Sequence, residues 1–269
     1  THIGKVRGNH EDNFYLEGLR LNEIFRNDFS ATYTISDADG MSFAVFDGMG
    51  GAAYGEIASE IAVQTMKKYE RRLKNAEGMR AVDQIVTEFV TEANNSICDM
   101  LREKNCLSGG TTFAMLYFID GLAKLYYLGD SRIYMQDEED LICLTRDHTL
   151  ANQKLDAGIY TEAQAKKSAD QHRLTLYVGV DKNGLGLNAD SRPPVALQPG
   201  RKFLLCTDGL VDMCSEQEIQ DILSQDYFNE AAVLVQTAVN YGGIDNVTCI
   251  VLEVIPIEEP AELESDPML

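Results

Sequence analysis

Five acidic segments stand out in the sequence because each lies at the end of an apolar, strand-like run or in a tight turn beside one. They are Glu11-Asp12, Asp47-Gly48, Asp130, Asp208-Gly209 and Asp245-Asn246. If these strand ends converge, several negative charges meet in one place, and their repulsion is severe unless cations lie between them. Oxygen ligands without histidine or cysteine at a matching spacing are typical of Mg²⁺ or Mn²⁺ and argue against zinc. The pattern therefore predicts a site for a hard divalent cation.

Each acidic segment also has a simpler interpretation. An aspartate beside a glycine is most often part of a turn or a cap, and Asp130 could pair with Arg132 or close a hairpin. Asp47-Gly48 could be a hairpin turn, since Asp-Gly is favoured there. A hairpin should return as a strand, however, whereas the residues from about Ala52 have helical spacing. Five unrelated turns, each beside a sheet-forming segment, explain the pattern less well than one shared site.

The elements around Asp47 are predicted from hydrophobic spacing. Met41–Phe46 is an apolar run that carries this carboxylate at its end. The Thr- and Tyr-rich segment Phe29–Ser36 precedes it across a turn, and the two are predicted to form an antiparallel hairpin. Helical spacing follows from about Ala52 to Leu73, and a second long helix is predicted from about Ala81 to Lys104. Each helix has one apolar face, which is suited to packing on a sheet.

The second half of the chain consists mainly of strand-like runs. An antiparallel meander is predicted from Thr112–Ile119, Leu122–Leu128, Arg132–Gln136 and Leu141–Leu144. Two later runs, Lys202–Cys206 and Val247–Val254, are further predicted strands, and acidic segments lie directly beside them. Asp147–Lys167, between these groups, has weak helical spacing and few core-forming residues, so we predict a surface flap there.

Composition limits the class of protein. The chain has 269 residues, 45% of them apolar, which suits one large domain or at most two with a substantial core. The formal net charge is −20, from 43 acidic and 23 basic residues, so nucleic acid and anionic membranes are poor candidate partners. The six cysteines form no CxxC pair, which is typical of reduced thiols in a cytoplasmic protein.

The residues resemble the metal-dependent Ser/Thr protein phosphatases of type 2C, the PPM family, in their bacterial form. The matching motifs occur in the family's order: KVRGNHEDNF (5–14), VFDGMGG (45–51), SGGTT (108–112), GDSRIY (129–134), CTDGL (206–210) and IDNVT (244–248). Any one of these motifs is weak evidence, but the ordered set is highly specific and covers nearly the whole chain.

The resemblance implies an α+β fold. Its architecture would be a four-layer α/β/β/α sandwich, in which two central antiparallel sheets are flanked by helix pairs. Residues 1–254 would form the phosphatase catalytic domain, with a flap subdomain at about 149–180. Residues 255–269 are acidic and proline-rich, and we interpret them as a disordered tail or a linker.

The resemblance also implies a metal centre of two Mn²⁺ or Mg²⁺ ions with a possible third. The implied metal ligands are Asp12, Asp47, Gly48, Asp130, Asp208 and Asp245. Asp47 would bridge the two ions, the carbonyl of Gly48 would coordinate one of them, and Asp130 with Asp208 would build the weaker third site. Glu11 and Asn246 would help to hold water molecules around the ions.

The implied reaction is hydrolysis of phosphoserine and phosphothreonine in proteins, by in-line attack of a hydroxide that bridges the two metal ions. Asp47 and Arg7 would be the catalytic residues. Arg7 would hold the substrate phosphate, because the planar guanidinium group meets phosphate oxygens two at a time. The expected partners are phosphorylated proteins, substrates of a bacterial Ser/Thr kinase, and the protein is expected to be a cytoplasmic monomer.

Three residues leave open questions. Animal members of the family have a histidine, interpreted as the general acid, where this chain has Met49, so the leaving alkoxide must take its proton from another group. His10 stands where the family usually has asparagine; it is either an alternative proton donor or a packing residue, and the second interpretation is favoured. The same two interpretations apply to His148, at the start of the flap.

Two other functions remain possible from the sequence. The first is a catalytically silent fold used as a binding or regulatory module, which usually lacks one or more metal carboxylates; here none is missing. The second is a phosphatase of the same fold that acts on one regulatory phosphoprotein.

Overall fold

The fold consists of two antiparallel sheets packed face to face, with helices on the outer face of each sheet. We describe it from a computed structural model, for residues 1–16, 19–20, 29–50, 54–106, 108–138, 140–180, 186–225 and 227–256. This architecture confirms the predicted α+β class and the four-layer sandwich. The predicted tail lies outside the described residues from residue 257 onward.

The strands are listed here in chain order. They are β1 (Asp12–Leu16), β2 (Leu19–Arg20), β3 (Ser42–Met49), β4 (Gly110–Thr111), β5 (Phe113–Ile119), β6 (Leu122–Leu128), β7 (Arg132–Asp137), β8 (Asp140–Cys143), β9 (Asp190–Ser191), β10 (Val195–Ala196), β11 (Lys202–Cys206) and β12 (Cys249–Glu253). The first sheet has the order β10-β6-β5-β3-β1-β2, with β4 paired to β3 and β9 paired to β6. The second sheet has the order β12-β11-β7-β8.

Helices form the two outer layers and about half of the predicted flap, residues 149–180. They are α1 (Tyr54–Lys74), α2 (Met79–Glu103), α3 (Leu150–Asp156), α4 (Glu162–Ala165), α5 (Asp208–Val211), α6 (Glu216–Leu223) and α7 (Glu230–Asn240), and a 3-10 helix spans Ala169–His172. The long helices α1 and α2 cover the first sheet, whereas α6 and α7 cover the second. Among the described helices, none is both long and apolar enough to cross a membrane.

The central strands are apolar on both faces because each face is buried against a different layer. Phe43 and Val45 of β3 point between the two sheets, whereas Ala44 and Phe46 point towards α1 and α2. Side chains alternate along a strand with a period of two, so burial of both faces requires a continuous apolar run. This explains why Met41–Phe46 shows no alternation of apolar and polar residues.

Two predicted strand pairings are wrong. The described residues of Phe29–Ser36 contain no strand, and β3 pairs instead with β1, β4 and β5. The ring of Phe29 stacks on Phe14 at 5.8 Å, so this segment contributes to the core through packing and not through a sheet ladder. Local β-propensity suggested the hairpin, but long-range burial decides which strands pair.

The second wrong pairing concerns the predicted meander. Strands β5 and β6 pair, and β7 and β8 pair, but β6 lies in the first sheet and β7 in the second. The connection Gly129–Ser131 therefore carries the chain from one sheet to the other. A glycine-aspartate step between two apolar runs has the composition of a hairpin turn, and nothing local distinguishes the two cases.

Candidate metal centre

The first two carboxylates are brought together by strand register. Strands β1 and β3 are antiparallel, and Asp12 lies directly opposite Asp47 in the pair. Directly opposed residues point to the same face with their Cβ atoms about 5 Å apart. The predicted end of the strand at Asp47 is too early, since β3 continues to Met49 and pairs with β4 there.

Three more carboxylates lie beside the strands of the second sheet, all at the same end of those strands. The last residue of β11 pairs with the first residues of β7 and β12. Asp208 follows β11, while Asp130 precedes β7 and Asp245 precedes β12. These strand ends face the end of β3 that carries Asp47. Between them lies one cleft with a volume of about 700 Å³.

The cleft collects the predicted site residues. Those that line it are Arg7, Glu11, Asp47, Gly48, Asp130, Asp208, Asp245 and Asn246. Asp12 is buried beside it and is close enough for its charge to act on Asp47. The structure therefore brings every predicted site residue to one place, and Met49 also lines the cleft.

Two threonine hydroxyl groups that the sequence prediction overlooked bond to these aspartates, one to a carboxylate and one to a backbone N–H. The hydroxyl of Thr207 donates to Oδ2 of Asp12 at 2.8 Å, and its oxygen accepts from the backbone N–H of Thr248 at 3.0 Å. Oγ1 of Thr112 accepts from the backbone N–H of Asp47 at 2.8 Å. Both threonines stand within the quoted motifs CTDGL and SGGTT, so their position next to a ligand is the signal that could have identified them.

Asn246 connects the N-terminal segment to the cleft. Its Oδ1 accepts from the backbone N–H of Glu11 at 2.7 Å, and its Nδ2 donates to the carbonyl oxygens of Ile3 at 2.8 Å and Asn9 at 3.0 Å. These three bonds fix the segment that carries Arg7 against the residue that follows Asp245. Asn246 therefore has a clear structural role in addition to the predicted one.

Arg7 is paired in this structure. Its Nη2 donates to Oδ2 of Asp245, and its side chain is half exposed. His172 is the other described residue lining the cleft that can carry positive charge. The described residues that line the cleft therefore offer little positive charge compared with the negative charge of its carboxylates.

Burial and mutual repulsion shift the ionisation of these carboxylates. Burial, opposed by hydrogen bonds from Thr248 and Thr207, raises the pKa of Asp12 to about 7. Burial and the charge of Asp212 raise the pKa of Asp208 to about 6. Burial and neighbouring carboxylates, Asp208 first among them, raise the pKa of Asp47 and of Asp130 well above the usual range.

One buried carboxylate oxygen fits a bound cation. Oδ1 of Asp208 is buried and has no hydrogen-bond partner among the described residues. A buried carboxylate oxygen without a partner is strongly unfavourable, and a cation is the group that such an oxygen accepts best. The donor set, carboxylate and carbonyl oxygens without thiolate, suits Mg²⁺ or Mn²⁺.

The ionisation of Asp12 and Asp208 predicts how the metal-free protein responds to pH. Their folded-state pKa values, about 7 and about 6, lie above the unfolded value of ~3.9, so the fold is favoured while they are protonated. This stability is fully present below the unfolded pKa and is lost as the pH rises through about 6 to 7. We expect the Tm in EDTA, measured by differential scanning calorimetry, to fall by several degrees between pH ~5.5 and ~8. Each kcal/mol lost from the free energy of unfolding lowers the Tm by roughly 2–4 °C.

Two controls accompany this measurement. Saturating Mn²⁺ should abolish most of the fall, because a cation replaces the protons, and Asp12→Asn should reduce it in EDTA. Asp140→Asn, at an exposed position of β8, should leave the wild-type fall unchanged. A Tm in EDTA that is the same at both pH values contradicts the assignment of buried, crowded carboxylates.

Two further cleft residues were not predicted. His172 and Asp212 offer ligand atoms that lie, together with one from Asp208, within 4.8 Å of one another. Asp212 is four residues after Asp208, and α5 begins at Asp208, so helical spacing places both on one face. That spacing was available from the sequence. His172 was not predictable in this way, because it reaches the cleft from the 3-10 helix Ala169–His172, within the predicted flap.

Two other histidines, His10 and His148, have structural contacts. His10 is buried, and its Nε2 bonds to Oγ1 of Thr1 at 2.7 Å. His148 stacks on Tyr127 and bonds to the backbone of Gly129. Neither is among the described residues that line the cleft, and both arrangements favour the packing interpretation over a proton donor.

Gly48 lies where two backbones approach closely. A Cβ atom at this position would stand 2.1 Å from the carbonyl oxygen of Gly55 and 2.6 Å from that of Glu11. We therefore expect Gly48→Ala to lower the free energy of unfolding by at least ~1–3 kcal/mol, the usual effect of overpacking. Urea unfolding of the purified variants measures this.

Gly186→Ala is the matched control for Gly48→Ala. No described atom lies within 4 Å of a Cβ at this position, so its free energy of unfolding should stay close to that of the wild type. Equal stability of the two variants would show that the close approach at Gly48 is not structurally required.

Known proteins share this fold and this sequence pattern. The family profile of protein phosphatase 2C matches residues 20–239. The protein phosphatase PhpP of Streptococcus pneumoniae is 32% identical over 220 residues, which cover 80% of this chain and 86% of PhpP.

Two solved structures extend the comparison. A serine/threonine phosphatase of S. agalactiae superposes with a TM-score of 0.80 at 24% identity, covers 95% of this chain and 97% of its own, and shows the common fold. The catalytic domain of the serine/threonine protein phosphatase PstP, solved in complex with two manganese ions, has a TM-score of 0.70 at 26% identity and covers 94% of this chain and 95% of its own.

The two-sheet sandwich is thus the fold of solved serine/threonine phosphatases. This is the class of enzyme that the sequence motifs indicated. The chain belongs to the protein phosphatase 2C family, in its bacterial PPM form. It is a protein serine/threonine phosphatase, as predicted, and the interpretation as a non-catalytic module is not favoured.

Proposed function

We propose that Asp12, Asp47, Asp208 and Asp245, with the carbonyl of Gly48, hold two divalent cations at which phosphoserine and phosphothreonine are hydrolysed. The observation that carries this proposal is the convergence of buried carboxylates whose charge the described residues do not neutralise. The partnerless Oδ1 of Asp208 supports it. Mn²⁺ and Mg²⁺ both suit this donor set, and the manganese bound by PstP makes Mn²⁺ the first ion to test.

A third, weaker cation site is proposed at Asp130 and Asp208. Asp130 is buried, and like-charge repulsion from Asp208 contributes to the rise in its pKa. His172 and Asp212 add two donor atoms near Asp208. A nitrogen donor of this kind is compatible with Mn²⁺ and is less suited to Mg²⁺.

In the proposed mechanism the cations, when bound, lower the pKa of water and offset the negative charge of the phosphoryl group. Asp47 lies opposite Asp12 in the pair of β1 and β3 and would be shared by both ions. Glu11 and Asn246 line the same cleft and would orient water molecules beside the ions.

Arg7 would release Asp245 when the carboxylate takes up a cation and would then hold two phosphoryl oxygens of the substrate. This interaction aligns the phosphorus atom for in-line attack and offsets the charge that develops on its oxygens. Met49 lines the cleft without an exchangeable proton, so the serine or threonine alkoxide must be protonated by another group.

The domain limits are part of the proposal. Residues 1–254 would form the catalytic domain, and residues 149–180 would be a flap that contacts the protein substrate beside the cleft. The position of His172 at the cleft supports a role of the flap near the substrate. Residues 255–269 would be a tail outside this domain.

The proposed partners are phosphorylated proteins, in particular the substrates of a bacterial Ser/Thr kinase, with the phosphatase acting as a monomer. None of the six cysteines, all in the described part of the chain, forms a disulfide. This supports a reducing compartment, for which we propose the cytoplasm.

The test is a phosphate-release assay with one peptide sequence prepared in phosphothreonine, phosphoserine and phosphotyrosine forms. We expect hydrolysis of the first two in Mn²⁺, a loss of activity in EDTA, and recovery when Mn²⁺ is added in excess. The phosphotyrosine peptide is the control for substrate class. Activity that persists after chelation would refute the metal centre, and equal activity on all three peptides would refute the proposed specificity.

A further inference from the structure

The two residues directly before the proposed flap, residues 149–180, hold both ends of the turn that carries Asp130. We call Asp147 and His148 the flap root. Arg132, after Asp130, donates from Nε to Oδ1 of Asp147 at 3.0 Å and from Nη2 to Oδ2 at 2.8 Å. Gly129, before Asp130, donates its N–H to Nδ1 of His148 at 3.0 Å and accepts the N–H of His148 at 2.8 Å. The flap root is therefore hydrogen-bonded to the turn on both sides of Asp130.

The ring of His148 is held in one orientation and one tautomer. It stacks on Tyr127, with the ring centroids 5.3 Å apart and the planes 12° from parallel. Because Nδ1 accepts from Gly129, the ring proton lies on Nε2, which is 3.3 Å from Oδ2 of Asp190. An acceptor fixed in this way defines the position of the Gly129 amide, as the outer partners of metal ligands commonly do.

The turn needs such support because it crosses between the two sheets. Gly129 has a φ of 105°, and a Cβ there would lie 2.6 Å from Cγ2 of Thr112. Thr112 in turn bonds to the backbone of Asp47. The turn is thus enclosed by Thr112 on one side and by the flap root on the other.

The flap root is also bonded to the returning end of the flap. The N–H and Oγ1 of Thr175 both donate to the carbonyl oxygen of His148, at 2.8 Å and 3.0 Å. Leu150 donates its N–H to the carbonyl oxygen of Arg173 at 2.9 Å. His172, which lines the cleft, directly precedes these returning residues.

We propose that Asp147 and His148 are positioning residues that fix Asp130 for cation binding and thereby couple the flap to the metal centre. This inference rests on the proposed function, since it requires a cation at Asp130. A bound cation needs its ligand oxygens within a few tenths of an ångström, so a looser Asp130 turn weakens binding. In return, an ion that holds Asp130 also restrains the flap through His148.

Two substitutions at His148 separate positioning from packing. His148→Phe keeps a ring over Tyr127 but removes the acceptor for Gly129, whereas Oδ1 of His148→Asn stands where Nδ1 stood and can accept the same bond. We expect His148→Phe to weaken the Asp130-dependent Mn²⁺ binding step about 10- to 100-fold in isothermal titration calorimetry. His148→Asn should stay within about threefold of the wild type, even though it is the smaller residue.

The flap provides a second readout. Hydrogen exchange of residues 149–180, followed by mass spectrometry, should slow when Mn²⁺ is added to the wild type and to His148→Asn. It should change little in His148→Phe. Thermal unfolding in EDTA checks that all three proteins are folded before Mn²⁺ is added.

The outcomes distinguish this inference from the proposed function. If the wild type binds no Mn²⁺, the metal centre is refuted and the inference falls with it. If the wild type binds Mn²⁺ and His148→Phe binds it equally well, only the inference is overturned. Should His148→Phe not fold, Asp190→Ala, at an exposed position, removes the partner of Nε2. Mn²⁺ binding that Asp190→Ala leaves unchanged would then overturn the inference, and a several-fold loss supports it.

Discussion

Replacing Asp47 with asparagine is expected to reduce hydrolysis of a phosphothreonine peptide by roughly a thousandfold or more. Strand register places Asp47 opposite Asp12, and the charges of Asp208, Asp12 and Asp130 all act on it. Asparagine keeps the size of the side chain but removes the charge that would be shared by two cations. Metal ions contribute several kcal/mol to such reactions, and a loss of ~4 kcal/mol corresponds to a thousandfold lower rate.

The stability of Asp47→Asn separates loss of chemistry from loss of fold. In the metal-free protein this substitution removes one of several crowded carboxylates, so its Tm in EDTA should equal or exceed that of the wild type. Mn²⁺ should raise the Tm of the wild type and should have little effect on the variant. Asp140→Asn, an exposed change in β8, is the control for activity. Asp47→Asn protein that retains metal-dependent activity would contradict the bridging role.

Replacing Arg7 with alanine is expected to lower kcat/KM for the same peptide by about 10- to 100-fold. A charged hydrogen bond contributes ~1.5–3 kcal/mol, and the guanidinium group offers two to the phosphate. Because Arg7 must first give up its bond to Asp245, the net loss is about that of one such bond. Arg7→Lys should recover only part of the loss, because an ammonium group is a point charge that cannot match two oxygens at once. Steady-state kinetics of the three proteins in saturating Mn²⁺ measures the effect.

Mn²⁺ binding shows whether Arg7 acts on the substrate. Arg7 is proposed to bind phosphate and not metal, so Arg7→Ala should retain Mn²⁺ affinity, or gain a little because Asp245 loses its protein partner. Arg102→Ala, a surface change in α2 where the side chain pairs with Asp99, is the matched control for charge. An Arg7→Ala enzyme with normal kcat/KM contradicts phosphate recognition, and one that no longer binds Mn²⁺ would place Arg7 in the support of the metal ligands.

The convergence of the carboxylates was predictable because its signal is local. Asp12, Asp47 and Asp208 each stand next to a strand-like run, and the ordered motifs indicate one family. Apolar periodicity also predicted α1 and α2, whose described ranges overlap the predicted helices closely. The predicted start of α1 at Ala52 lies outside the described residues.

Pairings between distant segments were less predictable. The Gly129–Ser131 connection resembles a hairpin turn, yet it crosses between sheets, since β6 and β7 find their partners through layers that no local pattern encodes. His172 reaches the cleft from the flap, and it lies 36 residues before Asp208 in the chain. Contacts of this kind depend on how the flap packs, which composition does not specify.

The contacts of His148 were also not predictable, although the sequence analysis had singled out this residue. Its proximity to the flap was predictable, and a packing role was favoured over a proton donor. The structure shows which contacts make up the packing role: the ring stacks on Tyr127, and its Nδ1 accepts a hydrogen bond from Gly129. Neither partner could be identified from spacing, because both lie at the end of β6, 19 or more residues before His148 in the chain.

The central claim is that the carboxylates around Asp47 form a metal centre, and anomalous X-ray diffraction from crystals grown with Mn²⁺ tests it most directly. We predict two strong anomalous peaks that flank Asp47, one shared with Asp12 and one shared with Asp208 and Asp245, and a weaker peak beside Asp130. Well-ordered crystals in saturating Mn²⁺ with no anomalous peak at Asp47, or with peaks only elsewhere on the surface, would contradict the account.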